Sequence, residues 1–508
     1  MLSRRTFIGS SLALMASSVT ASVWGASADS VLSLAHDNHL TKQKWAMAFE
    51  GAMSDFAPLQ METSGFWPSD LTGFLYRNGP SKMNRAGMRY QHWFDGDGMV
   101  QQFDIAHGKV SHKGKFIQTK KFKAEEKAGK FRYRTAGTII PDALPIRNND
   151  DMNVANTSVI PWRGELLALW EAGSPYRIDP NSLDTLGVKS FGDKFKQLPF
   201  SAHPLPDGQG GMWNFGSWFV GGDSSLLMYQ VSKEDEISRI EVITLPQASY
   251  MHAFAQSRNK LIFYISSCVY EEGQTYIDAF KWRPELGAKL LIIDKADFKL
   301  QQWVDLPAGF AFHFGQAVEH DNQLEVQISL YPDAGILLDG MTQLLTGKER
   351  DASTNAEFVT ISVELESHER LAKQLTNQLV LASKVAKLIR SNIEMEFPQF
   401  DTRISDSMSS VFGVGARINN ATGLSDTLHC VTTTGNQSYY FGDNKIIEEP
   451  LYIPAKEVGE GYILMTWLDY ESKQSGLSLF DSADIAKGPI AEAKMARILP
   501  LGFHGCFV

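Results

Sequence analysis

The sequence predicts an all-β fold, and three observations support it. Short apolar and β-branched runs recur along the chain, and most of them are followed by Gly, Asn, Asp or Pro. The 41 glycines agree with many tight turns, while long helical patterns are sparse, and no low-complexity linker divides the 508 residues. Because radial repetition leaves few exposed sheet edges in a long all-β chain, a β-propeller is the natural candidate, although no blade motif is repeated.

Residues 1–28 predict an export signal instead of part of the fold. The basic pair Arg4 and Arg5 is followed by a short apolar stretch and by the small residues 26–28, which offer a cleavage site. The run S-R-R-T-F-I resembles the twin-arginine export signal, and the alternatives are an ordinary secretory signal or a membrane anchor. We therefore expect a periplasmic protein in which residues 29–508 form a single domain.

Charge and cysteine content exclude some functional classes. The formal net charge is −10 and no basic block stands out, which argues against nucleic acid as a partner. Cys268, Cys430 and Cys506 lie far apart and match no metal-ligand spacing. Three is an odd number, so a complete disulfide framework is excluded and buried thiols are expected.

Individual elements can be predicted along the chain. Clear strand patterns cover 260–270, 288–298, 323–331, 357–365 and 461–470. Residues 121–130 predict a helix. The segment 365–390 contains no Gly or Pro and predicts either one helix or a strand end, a loop and a strand. The run D-G-D-G (Asp95–Gly98) resembles the start of a calcium loop, but the terminal Glu is missing, so a tight hairpin turn is predicted.

Four of the twelve histidines stand in distinctive settings. They occur in S-A-H-P, Y-M-H-A-F, F-A-F-H-F-G and G-F-H-G, at His203, His252, His313 and His504, and lie 49, 61 and 191 residues apart. A propeller blade takes roughly 40–50 residues, so these gaps correspond to about one, one and three blades. If each His lies on the inner strand of its own blade, all four point to the central axis. Taken singly, a histidine on an apolar strand is more often a core residue.

Nine segments, in order from about residue 55 to the end, resemble the carotenoid cleavage oxygenase family. They are GFLYRNGPSKMNRAGMRYQHWFDGDGMVQQF (73–103), N-T-S (156–158), LALWEAGSPYRIDPNSLDTLG (167–187), A-H-P (202–204), M-H-A-F (251–254), F-H-F-G-Q-A-V-E (312–319), M-E-F-P (395–398), E-E-P-L-Y-I-P (448–454) and L-G-F-H-G-C-F (501–507). The resemblance implies a seven-bladed β-propeller with a loop or helical dome over the metal face, and Fe(II) on its axis.

The resemblance also implies which residues form the metal site. The family's four metal ligands match His203, His252, His313 and His504. The carboxylates that orient three of those ligands match Glu171, Glu396 and Glu449, with Glu448 as the alternative to Glu449. Each such carboxylate accepts the second N–H of a ligand imidazole, which fixes its tautomer and ring direction.

The reaction that the resemblance implies is oxygenative cleavage of a carbon–carbon double bond. O₂ and an apolar polyene or stilbenoid meet at Fe(II), both oxygen atoms add across the alkene, and two carbonyl products form. Imidazole also suits Cu, Zn and Ni, so the choice of iron rests on the resemblance. No catalytic residue is expected beyond the metal ligands.

The substrate is less well defined by the sequence. We favour a carotenoid or apocarotenoid, with a stilbenoid as the alternative; family members grip the stilbenoid hydroxyl with a Tyr and a Lys, for which Tyr90, Lys120 and Lys121 are candidates. The apolar segment 132–146 could form a tunnel mouth touching a bilayer surface, or pack as an ordinary loop. Departures from the family pattern at Ser81, Ala253 and Gln316 weaken transfer of substrate preference.

Other functional classes remain open at this point. One is an exported propeller that binds a ligand without redox chemistry, in which the four histidines are core residues. Another is a propeller hydrolase using calcium or zinc, which the His-rich set disfavours. A third is an isomerase or hydrolase variant on the same iron site.

Overall fold

The computed structural model describes residues 36–219, 224–346, 355–376, 384–417, 420 and 422–508. The export signal predicted at 1–28 lies outside this part of the chain. The first strands are β1 (Phe56–Gln60), β2 (Glu62–Gly65), β3 (Gly73–Lys82), β4 (Asn84–Arg85), β5 (Met88–Arg89), β6 (Asp97–Ala106), β7 (Lys109–Phe116), β8 (Ser158–Trp162), β9 (Glu165–Leu169), β10 (Tyr176–Ile178), β11 (Thr185–Val188), β12 (Leu205–Pro206), β13 (Met212–Trp218), β14 (Ser225–Val231) and β15 (Ile237–Thr244).

The strands continue to the last residues of the chain. They are β16 (Ala255–Gln256), β17 (Lys260–Ile265), β18 (Cys268–Tyr270), β19 (Phe280–Trp282), β20 (Ala288–Asp294), β21 (Gln301–Leu306), β22 (Phe310–His320), β23 (Gln323–Tyr331), β24 (Glu357–Glu364), β25 (Lys384–Val385), β26 (Lys387–Glu394), β27 (Glu396–Phe400), β28 (Val411–Gly415), β29 (Thr427–Val431), β30 (Asn436–Tyr440), β31 (Lys445–Pro454), β32 (Gly461–Asp469), β33 (Gln474–Asp481), β34 (Ala491–Met495) and β35 (His504–Phe507).

These strands form a seven-bladed β-propeller, which confirms the predicted fold class. From the outer strand inward, blade 1 is β1-β7-β6-β3-β35 and blade 2 is β11-β10-β9-β8; from the inner strand outward, blades 3 to 7 are β12-β13-β14-β15, β16-β17-β20-β21-β25, β22-β23-β24-β26, β27-β28-β29-β30 and β31-β32-β33-β34-β2. Successive inner strands contact each other around the axis, as in β16–β22–β27–β31–β35–β8. Two short ribbons, β4–β5 and β18–β19, lie outside the blades.

The ring is closed at both chain ends. The C-terminal β35 pairs antiparallel with β3 of blade 1, with His504 opposite Asn78. In the other direction, β2 crosses into blade 7 and pairs with β34, with Glu62 opposite Lys494. Each end is therefore held by backbone hydrogen bonds to a blade made mainly from the other end of the chain.

The hydrophobic core consists of separate clusters packed between neighbouring blades. Ile262 and Leu290 of blade 4 pack with Val326 and Ile361 of blade 5, and all four are fully buried. A middle strand such as β20 is covered on both faces, so its sequence is a continuous apolar run. In β34, next to the outermost strand of blade 7, buried and more exposed positions alternate. Each buried aliphatic side chain contributes about 1.5–3 kcal/mol to the free energy of unfolding.

Helices occupy the connections between strands. They are α1 (Lys120–Ala128), α2 (Met341–Thr346) and α3 (His368–Leu375), with 3₁₀ turns at Lys44–Phe49, Trp93–Asp95, Asn149–Asp151, Asp193–Phe195, Pro284–Leu286 and Ile485–Lys487 and a π turn at Ile336–Gly340. Residues 36–42 are also helical.

Helix α1 confirms the helix predicted at 121–130. Thr119 begins it by accepting the Phe122 amide at 3.0 Å, and Gly129 ends it in the left-handed conformation. The segment 365–390 is not one helix: the Ser367 side chain caps α3, which ends at Leu375, and the strands β25 and β26 follow. All five predicted strand segments contain strands.

The hairpin predicted at Asp95–Gly98 is wrong. Asp95 closes a 3₁₀ turn and accepts the Gly137 amide at 2.7 Å, and β6 begins at Asp97. The physical reason is that Asp97 is fully buried against Arg85 and Lys121, so the chain continues into the blade at this point.

A dome covers one end of the ring. Its apolar cluster combines residues that are distant in the sequence, including Trp45, Ile140, Phe280, Leu337 and Leu468. The segment 132–146 contributes three buried apolar side chains to the dome and exposes Ile139. Within the described residues, the structure contains no helix long and apolar enough to cross a membrane.

Candidate metal centre

The structure brings His203, His252, His313 and His504 to the axis of the propeller. His203 and His252 lie just before the inner strands β12 and β16 of blades 3 and 4. His313 lies on β22 of blade 5, and His504 begins β35 of blade 1. The sequence gaps therefore correspond to one, one and three blades, as their lengths predicted. We call these four residues the four-histidine centre.

The ring nitrogens of the four-histidine centre converge. The Nε2 atoms of His203 and His252 lie 2.8 Å apart, and those of His313 and His504 lie 3.2 Å apart. One nitrogen from each ring lies within 4.8 Å of all the others. Metal–imidazole bonds are about 2.0–2.1 Å, so nitrogens sharing an ion lie about 3 Å apart when adjacent and about 4 Å apart when opposite. The donor set fits a single ion.

Three carboxylates face the other nitrogen of three rings. Glu171 contacts Nδ1 of His252, Glu396 lies 2.5 Å from Nδ1 of His313, and Glu449 lies 2.8 Å from Nδ1 of His504. An ionised carboxylate only accepts hydrogen bonds, so each ring carries its proton on Nδ1. The Nε2 lone pairs are thereby left free and directed toward one another.

Converging lone pairs make this arrangement unfavourable without a cation. Burial, followed by the other rings of the centre, lowers the pKa of His203 well below its ordinary value. Burial and then His313 lower the pKa of His504 in the same direction. These two rings are therefore neutral donors, which is the protonation state that binds a metal ion.

His203 differs from the other three members. Within the described part of the chain no carboxylate contacts its ring, and its backbone amide donates to Ser201 Oγ at 3.2 Å. It is also the one member that does not line the cavity described below.

Each orienting carboxylate is supported by a different group. The Tyr250 hydroxyl lies 2.8 and 2.9 Å from the two oxygens of Glu171. The Phe397 amide donates to Glu396 at 3.0 Å. Burial, followed by Glu171, raises the pKa of Tyr250 well above its ordinary value, so this phenol stays protonated and donates.

Glu449 has the most extensive support. The Gly505 amide donates to it at 2.9 Å, the Gln399 side chain at 3.2 Å, and the buried Arg77 guanidinium at 3.2 Å. Burial raises the pKa of Glu449 to about 7, and the Arg77 charge opposes that rise.

Of the adjacent acids Glu448 and Glu449, it is Glu449 whose carboxylate faces the four-histidine centre. Glu448 instead accepts hydrogen bonds from the Thr466 hydroxyl and the Gly502 amide, and lies 3.5 Å from Arg77.

A large cavity opens over the centre. It contains about 1350 Å³ of atom-free space, counting the part open to solvent, and His252, His313 and His504 line it. Its walls are mostly apolar and include Phe94, Phe312, Ile336, Leu424, Ile446 and Phe503. Such a cavity fits an apolar ligand, which would displace water from the centre when bound.

A smaller side cavity adjoins the main one. The two share Trp170, Glu171, Ala172 and Tyr276, and the side cavity continues past Trp218 and Met251.

The main cavity is not lined by any of the three candidates for binding a stilbenoid hydroxyl, which are Tyr90, Lys120 and Lys121. Lys121 is fully buried and donates to Tyr90 at 2.6 Å, Asp97 at 2.8 Å and Glu125 at 2.9 Å. Lys120 pairs with Asp151 instead. Charge pairing beneath α1 holds these side chains away from the centre, so the assignment is not supported.

Sequence reasoning missed Arg77, Tyr250 and Tyr276. Arg77 lies within the matched segment 73–103, and Tyr250 lies two residues before His252, so both positions carried a local signal. Tyr276 lies in the loop between β18 and β19, where no motif marked it.

Comparison with known proteins agrees with this geometry. Residues 52–508 match the family model described as retinal pigment epithelial membrane protein. The apocarotenoid-15,15'-oxygenase of Synechocystis sp. is 25% identical over 91% of this chain and 96% of its own length. The isoeugenol monooxygenase of Pseudomonas nitroreducens is 26% identical over 88% of this chain and 94% of its own length.

Solved structures share the fold. The cobalt-substituted apocarotenoid oxygenase of Synechocystis superposes with a TM-score of 0.78 at 22% identity, covering 92% of this chain and 98% of the other. The lignostilbene dioxygenase of Pseudomonas brassicacearum gives a TM-score of 0.77 at 23% identity, covering 91% and 97%.

Proposed function

Because the chain belongs to the retinal pigment epithelial membrane protein family, the family of the carotenoid cleavage oxygenases, we propose that it is an iron(II)-dependent dioxygenase. It cleaves a carbon–carbon double bond of a carotenoid or apocarotenoid with O₂ and releases two carbonyl products. The observation that carries the proposal is the convergence of four imidazoles beneath an apolar cavity.

We propose that His203, His252, His313 and His504 hold the metal. Iron(II) bound there would supply the activation of O₂, since four nitrogen ligands on an octahedral ion leave positions open. Iron is favoured over other metals by the family, while the related Synechocystis structure contains cobalt in substitution. Glu171, Glu396 and Glu449 act by fixing the Nδ1–H tautomers and the directions of three rings.

The side chains that line the main cavity bind and orient the substrate. The ring centroids of Phe312 and His252 lie 5.2 Å apart, and those of Phe397 and His313 lie 4.9 Å apart. Apolar surface therefore reaches the edge of the four-histidine centre. The cavity walls decide which double bond lies over the metal, and they exclude water that would compete for it. Both atoms of O₂ enter the products, one on each carbon of the cleaved bond, so no general acid or base is required.

The test is aerobic incubation of the iron-loaded chain with isotopically labelled O₂. An apocarotenal, a hydrocarbon carotene and a hydroxystilbene serve as substrates, and mass spectrometry reads the carbonyl products. The proposal expects label in both products from a polyene and none from a His504→Ala chain. Cleavage of the hydroxystilbene alone would establish a stilbenoid-cleaving enzyme. Substrate binding without cleavage would establish a non-catalytic propeller. Conversion of the polyene into a product that carries no label from O₂ would establish an isomerase or hydrolase.

We also propose that the chain is exported by the twin-arginine route to the periplasm. The support is the S-R-R-T-F-I run at the N-terminus and the fit between a folded, metal-loaded passenger and that route. Replacing Arg4 and Arg5 together by Lys is expected to leave the uncleaved chain in the cytoplasm. Normal periplasmic accumulation of that variant would contradict this route.

A further inference from the structure

One phenol lies at the junction of the two cavities. Tyr276 lines both the main cavity and the side cavity, together with Trp170, Glu171 and Ala172. It lies in the loop between β18 and β19, and its ring packs edge-on against Phe280 at 5.1 Å. The ring is therefore anchored in the dome, and the residue faces cavity space on two sides.

The Tyr276 hydroxyl has no hydrogen-bond partner in the described part of the chain. The Tyr276 side chain is half-buried and its hydroxyl is not sealed inside the protein, so an acceptor in the cavity can reach it. Tyr250, which also lies beside Glu171, uses its hydroxyl to hold that carboxylate. Tyr276 therefore has an unused donor in a mostly apolar cavity.

The surroundings determine what that donor can meet. Burial, followed by the charge of Glu171, raises the pKa of Tyr276, so the hydroxyl stays protonated and donates. The oxygens of Glu171 already contact Tyr250 and His252. A negative group beside Tyr276 would be repelled by Glu171, so the acceptor that fits best is a neutral oxygen.

We propose that Tyr276 donates a hydrogen bond to a neutral carbonyl or hydroxyl oxygen at one end of the substrate. The natural substrate is then an oxygenated apocarotenoid and not a hydrocarbon carotene, an inference that rests on the proposed function. The oxygenated end lies beside Glu171, near the centre. The apolar remainder extends along the same cavity toward Leu424 and Ile446, which blades 6 and 7 supply.

The binding test uses the iron-loaded chain in the absence of O₂, so that no turnover occurs. An apocarotenal is titrated into wild type and into Tyr276→Phe, and its absorption maximum and affinity are recorded. A conjugated aldehyde absorbs at longer wavelength when its oxygen accepts a hydrogen bond. The proposal expects a red shift in wild type that is lost in Tyr276→Phe, with affinity lower by about 3- to 10-fold, the value of one neutral hydrogen bond. The matched control is Tyr270→Phe, a phenol of the same ribbon that stacks on Phe219 and lines the side cavity but not the main one.

The kinetic test uses the iron-loaded chain with an aldehyde, an alcohol and a hydrocarbon of the same polyene length. Tyr276→Phe is expected to raise KM for the two oxygenated substrates and to leave the hydrocarbon unchanged. An equal effect on all three, or an unshifted spectrum in wild type, would overturn the role of Tyr276. If wild type cleaves none of the three, the proposed function fails, and the spectral titration still decides whether Tyr276 binds the oxygen.

Discussion

Two buried groups of ionisable side chains differ in whether the protein pairs their polar atoms with opposite charges. Beneath α1, Arg85 and Lys121 face Asp97 and Glu125 at 2.7 to 3.5 Å, so two positive charges balance two negative ones. At the four-histidine centre, pairs of Nε2 atoms lie 2.8 and 3.2 Å apart, and no carboxylate of the described residues faces them. We call the first group the α1 ion cluster.

The difference shows which group is structural and which is functional. The α1 ion cluster is complete within the protein, and Glu125 also accepts the Arg132 and Tyr133 amides at 2.9 and 3.2 Å, which fixes the start of a dome segment. The four-histidine centre instead gathers lone pairs that no positive side chain among the described residues neutralises, which is an arrangement suited to binding a cation. Removing one member of the α1 ion cluster should therefore lower the free energy of unfolding. Removing one member of the four-histidine centre should instead abolish metal binding and activity.

The largest expected effect is the loss of metal binding in His313→Ala. Ferrous ion at about 100 times its dissociation constant should stabilise wild type by about 2.7 kcal/mol, and the variant by almost nothing. Thermal melts with and without ferrous ion measure this, and activity is expected to be lost with the metal that activates O₂. His320→Ala, an exposed histidine near the other end of the same strand, is the control. An undiminished ferrous shift in His313→Ala would place the metal elsewhere.

The second effect tests the α1 ion cluster. Lys121→Met leaves Asp97 and Glu125 buried with a single cation, and breaking a buried pair in this way costs about 3–5 kcal/mol of the free energy of unfolding. Lys120→Met is the matched control, since Lys120 is more than half exposed and its ion pair with Asp151 contributes about 0–1 kcal/mol. Urea unfolding of metal-free protein compares them. Similar losses in the two variants would remove the distinction between the groups.

A third prediction concerns a buried imidazole outside the centre. Burial, followed by the Arg497 charge, lowers the pKa of His112 to about 3 from an ordinary value of 6.5. The folded state therefore keeps this ring neutral, and its contribution to stability is present above pH 6.5 and lost as the pH falls toward 3. Between pH 6.5 and pH 4 the loss is about 3 kcal/mol. Unfolding curves of His112→Gln should show a correspondingly shallower acid decline, and an identical pH profile would be evidence against it.

The smallest effect concerns the orienting carboxylates. Glu449→Gln weakens the fixing of the His504 tautomer and should lower ferrous affinity by about 10- to 100-fold without unfolding the chain. Calorimetric titration with ferrous ion measures it. The control is Glu492→Gln, which changes an acid on β34, next to the outermost strand of blade 7. Equal affinities in Glu449→Gln and wild type would show that Glu449 does not act through His504.

The sequence predicted the four histidines and the general fold because these leave local patterns. Strands alternate or run apolar, and the gaps between His203, His252 and His313 reflect blade length. The Glu171, Glu396 and Glu449 positions came from motifs resembling a family and not from spacing, because each carboxylate reaches a ring from a different blade.

What the sequence did not predict depends on contacts between distant segments. The sequence makes Lys121 a candidate for substrate binding, because local sequence does not show that Lys121 is buried against Asp97. That burial arises only from the packing of α1 on blade 1. The Asp95–Gly98 run was read as a turn for the same reason. Tyr276 had no motif at all, and its position becomes meaningful only once two cavities are seen to meet beside Glu171.

The most direct test of the central claim is anomalous diffraction at the iron absorption edge from crystals of the ferrous-loaded chain. The account predicts one peak on the propeller axis, about 2.1 Å from Nε2 of His203, His252, His313 and His504 alike. A peak elsewhere, or one of these four rings turned away from the peak, would contradict it.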